Sequence, residues 1–119
     1  MNAITRTLAL LLTGLWASLA GAQSNYPDKP ITVIVPFPPG GRTDLMARLL
    51  VQNISKHMSQ SVVIMNKPGA GGNIGMGLAA GAPADGHTLI MVSSSFVVNP
   101  GLYKSIPYDP YESFVPISN

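Results

Sequence analysis

Residues 31–48 read ITVIVPFPPGGRTDLMAR, and that order leaves a chain few choices. Ile31 to Val35 are apolar and mostly β-branched, as in a short buried strand. Pro36, Pro38 and Pro39 end it, because proline has no amide hydrogen to offer a neighbouring strand. Gly40-Gly41 then allows a tight turn, and Thr43 is expected to cap a helix beginning at Asp44. A side chain at Gly41 is expected to intrude on this turn and to resist any positive φ there. Strand, glycine turn and helix start together gather free amides under the positive end of a helix dipole. Such a place suits a small anion, a carboxylate or a phosphate.

The pattern recurs. Leu45, Met46, Leu49, Leu50, Ile54 and Met58 follow at helical spacing, with Lys56 and His57 expected in the last turn. Ser61 to Met65 reads as a second apolar strand and enters a second glycine-rich loop, Asn66 to Gly75. Asn73 is a candidate cap for the small-residue helix after it, whose glycines and alanines permit close packing on a sheet. His87 to Val92 reads as a third strand ending in Ser93-Ser94-Ser95, with a short helix expected over Asn99 to Lys104. Tyr26 to Pro30 is expected to run extended into the first strand, and Ile106 to Pro110 to be extended as well. Alternation of this kind predicts right-handed βαβ units and a parallel sheet. Continuous apolar strands predict helices on both of its faces, with all the strand–helix loops at one edge. Open α/β folds hold their ligands at that edge.

What precedes this pattern looks like a leader. Met1 to Arg6 carries one positive charge, Thr7 to Ala20 is almost wholly apolar, and Ala20-Gly21-Ala22 supplies small residues for cleavage before Gln23. Fourteen residues fall short of the ~20 that span a bilayer, so residues 1–22 are expected to be a cleaved signal peptide and not an anchor. The remaining 97 residues carry six basic and five acidic side chains, too even a balance for a nucleic-acid surface. There is no cysteine, which excludes disulfides and thiolate metal sites.

Catalytic and cofactor motifs fail one by one. Gly69-Ala70-Gly71 begins like a dinucleotide loop, but Ile74 stands at the sixth position and no acid lies about 20 residues beyond. Neither glycine turn leads into Lys-Ser/Thr. His57 and His87 lack a neighbouring carboxylate pattern, and the serine run lacks a nucleophile elbow. A lone glycine turn is often only a turn. Two of them with a serine loop at one sheet edge favour a binding site. Asp44 suits the helix dipole, and beside an anion it would be repulsive unless the ligand brought an amine or hydroxyl.

The motifs Tyr26-Pro27-x-x-Pro30-Ile31, Val35-Pro36-Phe37-x-x-Gly40-Gly41-x-x-Asp44-x-x-Ala47-Arg48 and Asn66-x-Pro68-Gly69-Ala70-Gly71-Gly72-Asn73-Ile74-Gly75 resemble the Bug family of solute-binding receptors. Asp85-Gly86-x-Thr88-Leu89, Asn99-Pro100-x-Leu102-Tyr103 and Tyr108-Asp109-Pro110 extend the resemblance along nearly all of the mature chain. It implies an α/β fold: the N-terminal part of a two-lobed, periplasmic-binding-protein-like structure, a parallel sheet with helices on both faces. It also implies a small organic acid as ligand, membrane subunits of a tripartite tricarboxylate transporter as partners, a periplasmic location and no cofactor. Carried over, the ligand contacts would be Phe37, Gly40, Gly41, Arg42, Thr43, Asp44, Gly71, Gly72, Asn73, Ser93, Ser94 and Ser95. Arg42, Met65 and His87 depart from the family pattern, which usually has a small residue, an acid and a tyrosine there. Family members are far longer, so residues 23–119 are expected to be an incomplete first lobe. Two other readings stand beside the receptor: an enzyme that holds a phosphate or carboxylate with these loops, and a non-functional remnant.

Overall fold

The computed structural model describes residues 26–118, and the expected leader and its cleavage site lie outside them. Strand β1 (Ile31–Val35) is followed by α1 (Arg42–Ile54), β2 (Val62–Asn66), a 3-10 turn (Ala70–Gly72), α2 (Asn73–Ala80), β3 (Thr88–Ile90) and α3 (Ser95–Leu102). The strands are parallel in the order β2-β1-β3, with Val33 opposite both Ile64 and Leu89. The chain leaves β1 in one direction and returns past it in the other. Right-handed crossovers then put α1 and α2 on opposite faces of the sheet. Accordingly α1 packs on β1 and β2, and α2 on β1 and β3. This is the α/β architecture that the sequence predicts.

The core centres on β1. Ile31, Val33, Ile34 and Val35 are buried, flanked by Ala47 of α1, Met76 of α2 and Tyr108 of the C-terminal segment. Small residues let α2 approach. A Cβ at Gly75 would lie 2.7 Å from both the Lys67 carbonyl oxygen and Pro36 Cβ, and one at Gly77 2.6 Å from Pro107. The C-terminal segment closes over α3 through Phe96, Tyr108 and Phe114, with ring centroids 5.4 to 6.1 Å apart.

Several local expectations give way to tertiary contacts. Helix α1 begins at Arg42, two residues earlier than expected, and its cap is Gly41, which makes no side-chain hydrogen bond. The Thr43 cap is displaced because Asp44, third in the helix, reaches back to the Gly40 amide at 2.8 Å. Gly41 itself is extended at φ −73, and the positive φ of the turn falls on Gly40 at +80. The helix ends at Ile54, so Lys56 and His57 lie beyond it in a turn. Its sheet-facing line is Asp44, Ala47, Val51 and Ile54, while Leu45, Met46 and Leu49 are 54%, 59% and 57% exposed.

Strand β2 is shifted one residue towards Asn66, and β3 is trimmed at both ends to the three residues that pair with β1. Asn73 opens α2, and its cap is Gly72 in the left-handed region. Helix α3 starts four residues earlier than expected, at Ser95, and takes in Pro100 near its end. The segments 26–29 and 106–110 are bends and irregular chain, not extended strands.

Candidate functional site

Parallel strands bring the loops after β1, β2 and β3 to one edge, and the crossover direction reverses between β1 and β3. A crevice at that reversal is where open α/β sheets take ligands. All the carried-over residues belong to these loops or to the helix starts that follow them.

In the first loop Pro36 is buried, Phe37 half-buried and Pro38 to Gly40 exposed. Asp44 sits beneath it with no exposed surface. One carboxylate oxygen, Oδ2, accepts from the Gly40 amide and from Arg48 Nε, each at 2.8 Å. The other, Oδ1, accepts from Asn66 Nδ2 at 2.8 Å, and the same nitrogen donates to the Phe37 carbonyl at 3.1 Å. The Arg48 guanidinium, the Gly40 amide and the Asn66 amide hold the Asp44 carboxyl far below the usual carboxylate range, against the opposing effect of burial. The amides of Arg42, Thr43 and Asp44 have no carbonyl of their own helix to donate to. Arg42 is exposed and forms no ion pair among the described residues. Two positions before Asp44 is about 200° round a helix, so Arg42 lies on the side away from the sheet.

The second loop runs through four consecutive positive-φ residues: Gly69 at +132, Ala70 at +47, Gly71 at +65 and Gly72 at +99. At Gly71 a Cβ would lie 2.8 Å from the Tyr103 hydroxyl, so a side chain there would have to displace that ring as well as adopt a positive φ. Asn73 points inward, where its Oδ1 accepts from Asn99 Nδ2 at 2.7 Å. Asn99 Nδ2 also donates to the Gly71 carbonyl at 3.0 Å, and both asparagines are buried. The second loop is therefore fastened to α3, the helix that carries the third loop.

In the third loop the amides from Ser95 onward already have acceptors. Ser93 Oγ lies 3.2 Å from Ser95 Oγ and accepts from the Ser95 amide, while Phe96 and Val97 donate to the carbonyls of Ser93 and Ser94. Ser93 and Ser94 are exposed and Ser95 half-buried.

Sequence reasoning placed Asp44 in this region but assigned no site role to Arg48, Asn66 or Asn99. Arg48 was legible as an i,i+4 partner of an acid. Asn66 and Asn99 meet their partners only through the fold, across 22 and 26 positions. Among the described residues no group of three or more His, Asp or Glu could hold a metal ion. An open apolar groove lies elsewhere, between α1 and the edge strand β2, lined by residues such as Leu49, Val51 and Val63.

A parallel α/β unit with loops rich in glycine, serine and amides at one edge has the architecture of the open α/β folds that hold ligands there. The chain belongs to the tripartite tricarboxylate transporter receptor family, whose sequence profile matches residues 46–119. Protein BugT of Bordetella pertussis is 44% identical over 122 residues, which take in 97% of this chain and 37% of BugT. The solved periplasmic binding protein BugD aligns with a TM-score of 0.74 at 42% identity, covering 77% of this chain and 31% of that one. MatC from Rhodopseudomonas palustris, solved with bound malate, aligns at 0.66 and 35% identity, covering 76% and 31%. The chain thus spans about a third of the length of such relatives.

Proposed function

We propose that this sequence supplies one wall of a periplasmic receptor cleft that binds a small carboxylate and hands it to the membrane subunits of a tripartite tricarboxylate transporter. The observation that supports it most is the convergence of three glycine- or serine-bearing loops at the crevice edge of the sheet. A solved relative of the same architecture holds malate. Residues 1–22 act as the export signal, and residues 23–119 form part of the first lobe. Binding and not catalysis is the chemistry: Asp44 spends both oxygens on its own fold, and His87 lies before β3, at the opposite end of the sheet.

The contacts proposed for the ligand are Phe37, Gly41, Arg42 and Thr43 of the first loop and helix start, Gly71, Gly72 and Asn73 of the second loop, and Ser93 to Ser95. The first-turn amides carry most of the anion recognition, since they are unpaired and sit at the positive helix end. The test is calorimetry with a receptor of the relatives' length that contains this sequence, titrated with malate, succinate, citrate and neutral analogues. Saturable heat with an acid and none with its amide is expected. Gly41→Val should abolish it with the fold intact, because a side chain there already meets the Pro38 carbonyl at 3.3 Å and adds bulk at the anion edge. Equal binding of acid and amide, or unchanged affinity in Gly41→Val, would overturn the reading.

A further inference from the structure

We propose that the Asp44 side chain positions the anion loop and does not touch the ligand, a role that rests on the carboxylate reading above. The acid is fully buried, and its oxygens are taken by donors from three different elements: Gly40 of the loop, Arg48 of α1 and Asn66 of β2. Asn66 extends the same network to the Phe37 carbonyl, so one carboxylate holds both ends of the segment Phe37 to Gly40. Arg48 lies 2.8 Å away and offsets the charge, so the edge presents no free acid from this position to repel an anion.

Two consequences follow for recognition. Gly40 lies in the exposed stretch Pro38 to Gly40, yet its amide donates to Asp44 and is lost to a ligand. The donors left at the helix start are the backbone amides of Arg42, Thr43 and Asp44, and the length and pitch of the segment tied down by the Asp44 carboxylate and Asn66 decide where they aim. An acid that merely complemented the helix dipole would need neither the asparagine nor the glycine amide. An acid that received a ligand hydroxyl would have to release one of its present donors first.

The experiment compares wild type with Asp44→Asn and Asn66→Ala by amide NMR on the full chain, without ligand. In wild type the Gly40 amide resonance should stay flat from pH 7 to pH 3, because the carboxylate that accepts it stays ionised. In Asp44→Asn that resonance should move upfield and its hydrogen exchange quicken about tenfold or more, with β3 and α3 unchanged. In Asn66→Ala the changes should be confined to residues 36–44. A Gly40 amide indifferent to Asp44→Asn, or one that titrates with the exposed acids, overturns the proposal. Loss of the fold in both variants also overturns it, since positioning then gives way to general stability.

A second readout uses a receptor of the relatives' length that contains this sequence. Asp44→Asn should weaken malate and succinate by the same factor, about tenfold or more. A change in their ratio would make Asp44 a contact for the malate hydroxyl and defeat the proposal. If neither acid binds the wild type, the carboxylate reading fails, while the Gly40 resonance still decides the role of Asp44.

Discussion

The two ends of the sheet treat charge and backbone in opposite ways. At the loop edge Asp44 is buried and paired with Arg48, and glycine, serine and proline are exposed there beside Arg42. At the other end, charged side chains face one another. Lys29 pairs with Asp85 at 2.7 Å, and the buried His87 ring lies 3.1 Å from Asp28 and 3.4 Å from Asp85, although neither contact is aligned as a hydrogen bond. Tyr26 donates its hydroxyl to the Gly86 carbonyl and sets its ring edge-on to His87. One end leaves the first-turn amides of α1 without partners in their own helix, which suits the anion proposed above. The other spends its charges on joining the N-terminal segment to the start of β3. The same short sheet thus separates the proposed recognition edge from the anchoring end.

If the loop edge depends on close backbone approach, filling it should have the largest effect. Gly75→Val would drive a branched side chain into the Lys67 carbonyl and Pro36, both 2.7 Å from the new Cβ. A cost of about 3 kcal/mol is expected, from overpacking against backbone that cannot move aside. Chemical denaturation measures it. A loss below about 0.5 kcal/mol would show that α2 is free to shift, and the loop edge would not be the tightly fitted end.

A smaller effect is expected at the link between the second and third loops. Asn99→Ala leaves the Gly71 carbonyl and Asn73 Oδ1 without their buried donor, at a cost of about 2 kcal/mol. The residues around Gly71 and Ser94 should lose hydrogen-exchange protection together. If only α3 loosened, the two loops would be independent, and the comparison between the ends would rest on the first loop alone.

The smallest effect belongs to the anchoring end and appears only in acid. The hydrogen bond from Lys29, and then the His87 amide, draw the Asp85 carboxyl down to about 2 from an ordinary 3.8. A carboxyl depressed in the folded state stabilises the fold above its unfolded value, and this contribution is lost as pH falls from about 4 to about 2. The pair is exposed and screened, so Asp85→Asn should leave stability at pH 7 almost unchanged while flattening part of the acid limb. A loss at neutral pH as large as that of Asn99→Ala would erase the distinction between the two ends. Comparing thermal unfolding at pH 7, 4 and 3 decides it.

Much of this was legible in the chain as written. The order of strands and helices follows from apolar runs, their spacing and the glycine and proline breaks. The loops share one edge because consecutive βαβ units leave no other arrangement. The Asp44–Arg48 pair could be read from a spacing of four on a helix. These features are local, set by backbone sterics and by the period of the side chains, so eighteen residues such as 31–48 already contain them.

What the sequence could not decide is where hydrogen bonds go once distant segments meet. Thr43 looked like the cap, but Asp44 reaches the Gly40 amide and Gly41 serves instead. Asn73 looked like a cap too, and Asn99 takes its side chain from 26 residues away. The leucines of α1 have core-like spacing, yet Asp44 and Ala47 face the sheet, because the strands that receive the helix select its face. Composition and periodicity determine which elements form and in what order. Only the packed structure determines which buried donor meets which acceptor, because each amide and carboxylate has few places to bond and every neighbour competes for them.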